Sequence, residues 1–266
     1  MMLVSCNQQP GGEPVTRIDF ENMDGTKSAG ATTAPSPTPT AAQGPCEKVT
    51  FEEVQLTHCV ANPVKHSMRT VLAGEDGAPL RSFSALQTSL PKDTKIAFAI
   101  NAGAFDGEGK PVGYYVENGN RIKELDRSDG QGNFYLKPNG VFYGTGSTWR
   151  IRTSDDFYSS VGDRPAWGTQ SGPMLVIKGK LHPKISEDGP SKSIRSGVGL
   201  DAKGNAHFVI SDAPLSYGVL ARYFRDGLKT PNALFLDSQR SSLWDPANGR
   251  MDTNARIGPI LLVTDK

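Results

Sequence analysis

Apolar residues occur along this chain in short runs bounded by polar or turn-forming residues. The clearest runs are Lys95–Asn101, Met174–Lys178 and Ala233–Asp237. Runs of this length are typical of buried β-strands, because an amphipathic helix shows a longer pattern with a period of 3.6 residues. The pattern therefore predicts strands at these three places. Further strands are predicted at Gly140–Gly144, Trp149–Arg152 and Ile260–Val263.

Two hairpins are predicted where pairs of such runs flank a short turn. Val112–Val116 and Arg121–Leu125 flank Glu117-Asn-Gly-Asn120, and Asn-Gly is a strong signal for a tight hairpin turn. Val198–Leu200 and Ala206–Ile210 flank a polar, glycine-containing turn in the same way. Each pair predicts two antiparallel strands.

Helical periodicity is clearest at Leu80–Leu90 and Ser216–Leu228, where apolar residues repeat every three or four positions. The 29 Gly and 19 Pro among 266 residues also favour strands and turns over a helical bundle. The predicted fold class is therefore α+β: a single domain with a mixed, strand-dominated sheet and a few helices.

The net charge of the chain indicates whether a nucleic acid is a plausible partner. With 29 Lys and Arg against 28 Asp and Glu, the formal net charge is +1. A nucleic-acid binder held by phosphate contacts needs a basic face, so we expect no nucleic-acid partner. No apolar run approaches the length of about 18 residues that a membrane-spanning helix requires.

The N-terminal segment differs in composition from the rest. Residues 7–45 are rich in Gln, Gly, Pro, Thr and Ala, which predicts a disordered linker. Leu3-Val-Ser-Cys6 resembles a bacterial lipobox, in which the cysteine is acylated, although only five residues precede Cys6. The alternative is a free cysteine on a tail. We therefore divide the chain into a signal or lipobox remnant with its linker, 1–45, and a domain, 46–266, with membrane contact only through a lipid anchor at Cys6.

Cys46 and Cys59 bracket a segment that reads as two short strands turning over near Glu52-Glu53. Cysteines at the two ends of a hairpin can approach closely enough to bridge, although a pair of reduced thiols is the alternative. Together with the lipobox, the spacing favours a disulfide. A disulfide indicates an oxidising compartment outside the cytoplasm, such as the periplasm or cell envelope.

Polar residues follow three of the predicted strands, where a rigid scaffold can present them. They lie in Asn101–Phe105, Gly168–Met174 and Leu236–Ser242. Arg195 lies in a Ser- and Gly-rich segment between the last two, and a cation there can hold a phosphate or carboxylate. Lys137 and Asn139 add another cation and an amide.

At these positions the chain resembles the phosphodiester glycosidase family, and in particular its bacterial branch. Asn101-Ala-Gly-Ala-Phe105 resembles the family's Asn-(Ala/Gly)-Gly-x-Phe motif, and Leu236-Asp237-Ser-Gln-Arg-Ser-Ser242 resembles its Leu-Asp-Gly-(Gly/Ser)-x-Ser-Ser motif. Four further segments are similar to motifs of the bacterial branch in the same order. They are Pro111–Asn118 with Gly132–Tyr143, Thr169–Val176 and Ile194–Gly199.

The resemblance implies a hydrolase that cleaves the glycosidic bond of a sugar 1-phosphodiester, for example an N-acetylglucosamine phosphodiester in an envelope glycan. Such a site needs a carboxylate to activate water or to stabilise positive charge at the anomeric carbon, and a cation for the phosphate. We expect Asp237 and then Glu117 to supply carboxylates and Arg195 to hold the phosphate. The other predicted binding residues are Asn101, Lys137, Asn139, Gln170, Ser171, Ser241 and Ser242. Carboxylates are not clustered with ligand spacing, so neither a metal nor another cofactor is expected.

One departure from the family pattern leaves a second hypothesis open. Ser238 stands where the family usually has the glycine after the aspartate. A non-glycine residue with φ > 0 is strained by about 1–2 kcal/mol. The alternative function is therefore a glycan- or phosphoglycan-binding envelope lipoprotein without catalysis.

Overall fold

A computed structural model of the chain describes residues 44–160, 164–237 and 240–266. The lipid-anchor prediction at Cys6, the linker prediction up to residue 43 and the departure at Ser238 lie outside the described residues. Strands dominate the described part and helices are few, which confirms the α+β class. The strands form three sheets instead of one, and every described pair of strands is antiparallel. No described helix is long and apolar enough to cross a membrane.

The elements are as follows. The strands are β1 (Cys46–Phe51), β2 (Val54–Ala61), β3 (His66–Val71), β4 (Ile96–Asn101), β5 (Tyr115–Glu117), β6 (Asn120–Lys123), β7 (Gly140–Thr145), β8 (Thr148–Thr153), β9 (Trp167–Ser171), β10 (Met174–Ile177), β11 (Lys180–Leu181), β12 (Ser196–Leu200), β13 (Ala206–Ser211), β14 (Asn232–Asp237), β15 (Leu243–Asp245), β16 (Arg250–Met251) and β17 (Ile260–Asp265). The α-helices are α1 (Phe83–Ser89), α2 (Ser154–Tyr158) and α3 (Tyr217–Arg222), and α3 continues into a π-helical turn at Tyr223–Gly227.

A shared core joins the three sheets. The seven-stranded sheet has the order β1-β2-β13-β12-β14-β10-β11, and the two five-stranded sheets have the orders β16-β15-β4-β17-β3 and β6-β5-β9-β7-β8. Phe208 of the first sheet contacts Phe98 of the second at 5.3 Å and Phe142 of the third at 5.9 Å between ring centres. Each sheet thus covers an apolar face of the others, which explains why short, wholly apolar strands such as β4 are stable here.

Local signals in the sequence correspond to the observed turns and helix ends. The hairpin between β5 and β6 turns at Asn118 and Gly119, whose φ angles are 51° and 77°. Two consecutive positive φ angles match the tight turn that Asn-Gly predicts. Helix α1 begins after Ser82, whose Oγ accepts a hydrogen bond from Ala85 N–H at 3.1 Å, so it is shorter than the predicted helix.

The predicted disulfide is present between Cys46 and Cys59. These residues are directly opposite each other in the pairing of β1 with β2, and both are buried in the core. The two strands turn over at Glu52 and Glu53, as predicted. The disulfide therefore fastens an edge strand of the seven-stranded sheet to the strand beside it.

Replacing both cysteines should lower the free energy of unfolding by about 3 kcal/mol, the value that chain entropy gives for a loop of this length. The double variant Cys46→Ala/Cys59→Ala would be compared with the wild type by urea denaturation. A reducing agent should lower the wild-type midpoint toward that of the variant and leave the variant's midpoint unchanged. Equal midpoints for the two oxidised proteins would contradict a stabilising role.

A buried histidine, His58, pairs with the partly buried His207 in the seven-stranded sheet. His58 Nε2 lies 2.9 Å from His207 Nδ1, and the rings are stacked with centres 5.2 Å apart. Burial, and next the charge of His207, hold the pKa of His58 below its usual value of about 6.5. Burial lowers the pKa of His66 and His182 as well. The folded protein therefore keeps these rings neutral at a pH at which the unfolded chain takes up protons.

The free energy of unfolding should consequently decrease as the pH falls below about 6.5. A pKa that is one pH unit lower in the folded than in the unfolded state corresponds to a loss of about 1.4 kcal/mol. The loss is absent above that pH, where His58 is neutral in both states. Urea midpoints at pH 8, 6 and 5 test this. His58→Gln should make the decline shallower, because it removes one of the three contributing groups. A slope unchanged in His58→Gln would show that His58 does not carry the effect.

Candidate functional site

Asp237 and Ser196 lie opposite each other where β14 ends and β12 begins. Asp237 is half-buried, and its Oδ1 accepts a hydrogen bond from Arg240 N–H at 3.3 Å. Its backbone carbonyl lies 2.8 Å from Ser241 Oγ. The carboxylate is thus presented at the end of a buried strand, on backbone that the following turn holds in place.

A hydrogen-bonded network links this strand end to β4. Ser196 Oγ donates to Asn101 Oδ1 at 3.1 Å, and Ser241 Oγ lies 3.1 Å from Ser196 Oγ. Ser242 N–H also donates to Asn101 Oδ1, at 3.1 Å. Asn101 is fully buried, so its side chain orders the serines around it. The structure therefore brings four of the predicted residues together: Asn101, Asp237, Ser241 and Ser242.

Arg195 directly precedes Ser196 and is only 2% exposed. Its Nε donates to Leu215 O at 2.9 Å and its Nη2 to Ser191 O at 3.0 Å. The guanidinium lies 3.6 Å from the centre of the Tyr217 ring. It forms no ion pair with any described carboxylate. A buried charge without a counter-charge is costly, so this guanidinium is suited to an anionic ligand.

The Tyr217 ring contacts Arg195 and packs beside the strand that carries Asp237. Burial raises the pKa of the Tyr217 hydroxyl, and the charge of Asp237 adds to this rise while Arg195 opposes it. Tyr217 also packs against Phe235, with ring centres 4.8 Å apart, and Phe235 belongs to the same strand as Asp237. Arg195 thus stacks on a ring that also packs against the strand ending at Asp237.

Gln170 and Ser171 support the site from β9. Gln170 Oε1 accepts hydrogen bonds from Tyr114 N–H and Asp126 N–H, and its Nε2 donates to Asp126 O and to Ser154 Oγ. All four hydrogen bonds of this amide are therefore made within the protein. Ser171 Oγ donates to Leu236 O at 3.0 Å, which fixes the strand just before the aspartate.

The glycine of the Asn101–Phe105 segment is required by a close approach. The backbone at Gly103 passes so near Gln170 O that a Cβ atom at residue 103 would overlap it. Gly103 N–H donates to Thr169 Oγ1 at 3.0 Å. The segment is therefore pressed against β9, and any larger residue at 103 would push Asn101 away from its serines.

The structure does not bring Glu117 to this group. Glu117 ends β5, and its Oε2 accepts hydrogen bonds from Leu72 N–H and Tyr115 Oη, both at 3.1 Å. Burial raises the pKa of Glu117, and these hydrogen bonds partly oppose the rise. The contacts of Glu117 hold β5 against the end of β3. A role as second carboxylate stays a prediction.

Lys137 and Asn139 lie in the loop before β7, whose first residue, Gly140, pairs with Ser171 of β9. Lys137 Nζ is 2.7 Å from Asp129 Oδ1 and donates to Arg127 O at 2.8 Å. Asn139 is buried, and its Nδ2 donates to Phe134 O at 2.9 Å. Both residues line a cavity of about 200 Å³ beside Arg127. Their contacts stabilise the loop before β7, and their predicted contact with substrate is not tested.

The described residues contain no group of three or more His, Cys, Asp or Glu side chains arranged to hold a metal ion. The arrangement around Asp237 is instead one carboxylate, several hydroxyls and a buried guanidinium. Those groups can activate or position water, stabilise developing charge and hold an oxyanion.

The domain matches a known family over the segment that carries these residues. Residues 94–256 match the family model described as phosphodiester glycosidase. The uncharacterized protein YigE of Escherichia coli K12 is 31% identical over 183 residues, which cover 69% of this chain and 71% of that protein. The chain belongs to the phosphodiester glycosidase family. The resemblance found in the motifs is thereby confirmed.

Two solved structures share the fold of this phosphodiester glycosidase domain. One is the catalytic domain of zebrafish N-acetylglucosamine-1-phosphodiester alpha-N-acetylglucosaminidase, auto-inhibited by its pro-peptide. It has a TM-score of 0.54 and 16% identity, over 83% of this chain and 82% of that one. The other is a hypothetical protein from Synechocystis, with a TM-score of 0.50 and 16% identity, over 83% of this chain and 61% of that one.

Two residues of the candidate site, Ser196 and Tyr217, were not among those predicted from the sequence. Ser196 joins Asn101 to Ser241, and its position directly after Arg195 in a strand was the available signal. Tyr217 contacts Arg195, but in the sequence it appears only as part of a predicted helix. Nothing local in the sequence indicates that the first turn of α3 packs against the residue before β12.

Proposed function

We propose that this member of the phosphodiester glycosidase family is a hydrolase that cleaves the glycosidic bond of a sugar 1-phosphodiester. The observation that carries the proposal is the placement of Asp237 at the end of β14 beside Arg195, which directly precedes the neighbouring strand β12 and stacks on Tyr217. The printed name of the zebrafish structure supports N-acetylglucosamine as one candidate sugar. Ser241, which belongs to the hydrogen-bonded network of Asn101, also hydrogen-bonds to the backbone carbonyl of Asp237.

In this proposal the reaction is hydrolysis with water as the second substrate. The oxygen of water forms a bond to the anomeric carbon, and the bond from that carbon to the phosphate oxygen breaks. The electron pair leaves with the phosphate, which Arg195 holds and neutralises. Asp237 accepts the proton of water, or stabilises positive charge at the anomeric carbon before water adds.

We also propose that the enzyme works outside the cytoplasm, in the periplasm or cell envelope. The disulfide between Cys46 and Cys59 supports this location, because such bonds persist in oxidising compartments. Lipid anchoring through Cys6 remains a prediction from the sequence. An envelope glycan is the substrate that this location would supply.

The test is hydrolysis of a panel of sugar 1-phosphodiesters by the full chain, with and without a chelator. Release of free sugar that is unaffected by the chelator is the expected result. Binding of a panel member, measured by calorimetry, without release of sugar from any of them would favour the alternative of a non-catalytic glycan-binding protein.

A further inference from the structure

Two arginines lie over the ring of Phe105, beside the site described above, and a third, Arg256, lies on the neighbouring segment. The guanidinium carbon of Arg240 lies 4.7 Å from the centre of the Phe105 ring, and that of Arg81 lies 5.7 Å from it. Arg256 directly precedes Ile257, whose N–H donates to Arg81 O at 3.1 Å. Burial, followed by the charges of Arg256 and Arg240, lowers the pKa of Arg81. Like charges repel, so this grouping carries an energetic cost in the free protein.

None of the three arginines forms an ion pair with a described carboxylate. Asp106 is the acidic residue that acts on Arg81. Its Oδ1 already accepts hydrogen bonds from Glu108 N–H and Lys110 N–H, both at 2.9 Å. The surface around Phe105 therefore has more positive than negative charge.

The position of Arg81 is built into the fold. Its φ angle is 64°, a left-handed conformation, and its carbonyl accepts a hydrogen bond from Ile257 N–H at 3.1 Å. Its side chain passes over Gly109, where a Cβ atom would overlap it. Its Nε and Nη1 are buried without a hydrogen-bond partner among the described residues. Its Nη2 donates a long hydrogen bond to Gly107 O at 3.4 Å. Buried polar nitrogens normally have partners, so the Arg81 guanidinium keeps hydrogen-bonding capacity that the described residues do not satisfy.

The group adjoins Asp237. Arg81 and Arg240 contact Phe105, whereas Arg195 contacts Tyr217 and Phe235. Arg240 N–H donates to Asp237 Oδ1, and Arg240 O accepts a hydrogen bond from Ser242 Oγ at 3.2 Å. Arg81 precedes residue 94, where the match to the family model begins. The arginine cluster thus combines Arg81, from outside the matched segment, with Arg240, whose backbone N–H contacts Asp237.

We propose that Arg81, Arg240 and Arg256 form a second oxyanion subsite, which binds a phosphate or carboxylate group of the substrate beyond the phosphodiester that is cleaved. Planar guanidinium groups bind such oxyanions through paired hydrogen bonds. The substrate class is then an anionic glycan whose repeating units each carry a charge. This inference rests on the function proposed above.

Kinetics with three matched substrates would test the subsite. All three are the same sugar 1-phosphodiester, with glycerol, glycerol 3-phosphate or glyceric acid as the alcohol. The wild type should show a kcat/KM at least about tenfold higher with an anionic alcohol, the equivalent of one charge-assisted hydrogen bond. Whether phosphate or carboxylate gives the larger gain identifies the anion. Equal kcat/KM for all three substrates would overturn the proposal.

The variant Arg240→Gln/Arg256→Gln should reduce this preference to about twofold or less, mainly through KM. Both residues are exposed, so the variant should fold. Arg121→Gln is the matched control, because Arg121 is an exposed arginine on β6 whose ion pair among the described residues is with Glu124. It should keep the full preference. A preference that persists in the double variant would exclude these arginines.

A binding experiment separates failure of this inference from failure of the proposed function. Calorimetry with inorganic pyrophosphate would be carried out on Arg195→Gln, in which the first anion site is removed. Binding that persists there and is lost when Arg240→Gln/Arg256→Gln is added supports the subsite, even if no substrate is turned over. Absence of binding to Arg195→Gln would overturn the subsite and leave the proposed hydrolysis untouched.

Discussion

Asp237→Asn should lower kcat by about 10²–10⁴-fold, the usual contribution of a positioned acid or base. The amide has nearly the same shape as the carboxylate but can neither accept a proton at neutral pH nor stabilise positive charge. Its Oδ1 can still accept the hydrogen bond from Arg240 N–H, so the turn should be preserved. The measurement is steady-state release of sugar, with thermal unfolding to confirm an unchanged fold.

Asp245→Asn provides the matched control. Asp245 also ends a strand, β15, and its carboxylate accepts a hydrogen bond from Asn248 Nδ2. The same chemical change is thus made at a second strand end, away from the Asn101 network. Its kcat should be close to the wild-type value. Equal losses in the two variants would mean that Asp237 acts only through stability.

Arg195→Gln should lower kcat/KM by about 10²–10³-fold, as expected for loss of one group that stabilises developing charge. The glutamine retains hydrogen-bonding ability but has no charge to neutralise a phosphate. Arg195→Lys should recover only part of the activity, because lysine cannot form the planar, paired contacts of arginine or stack on Tyr217 in the same way.

The decisive readout is one that a purely structural arginine would not affect. Inorganic phosphate should raise the thermal unfolding temperature of the wild type more than that of Arg195→Gln. The control is Arg222→Gln on α3, since Arg222 is paired with Glu52 and Asp188. That variant should keep both kcat/KM and the response to phosphate. An identical response to phosphate in Arg195→Gln would remove the anion-binding role.

The sequence predicts the local parts of the fold because local chemistry decides them. The apolar run at Lys95–Asn101 becomes β4, and Asn118-Gly119 makes the turn between β5 and β6. The division into three sheets was not predictable in this way. It depends on which apolar faces meet, and contacts such as those of Phe208 with Phe98 and Phe142 join residues far apart in the chain.

In the candidate site, too, local sequence predicts strand ends but not the contacts between distant residues. Strand ends indicated Asn101 and Asp237, and the structure brings them into one network. Side-chain direction could not be deduced from the sequence, and the structure shows that all four hydrogen bonds of the Gln170 amide are made within the protein. Its role in binding substrate stays a prediction. Arg195, which was predicted to hold the phosphate, forms no ion pair with a carboxylate among the described residues.

The disulfide at Cys46 has a mechanical consequence. β1 is the edge strand of its sheet, and Cys46 is its first residue. A pull applied at Pro45 would otherwise peel β1 from β2 one hydrogen bond at a time, starting at that residue. The covalent bond to Cys59 diverts the load into β2, which is held on both sides by β1 and β13. Tension from that end must therefore shear a strand inside the sheet instead of unzipping its edge.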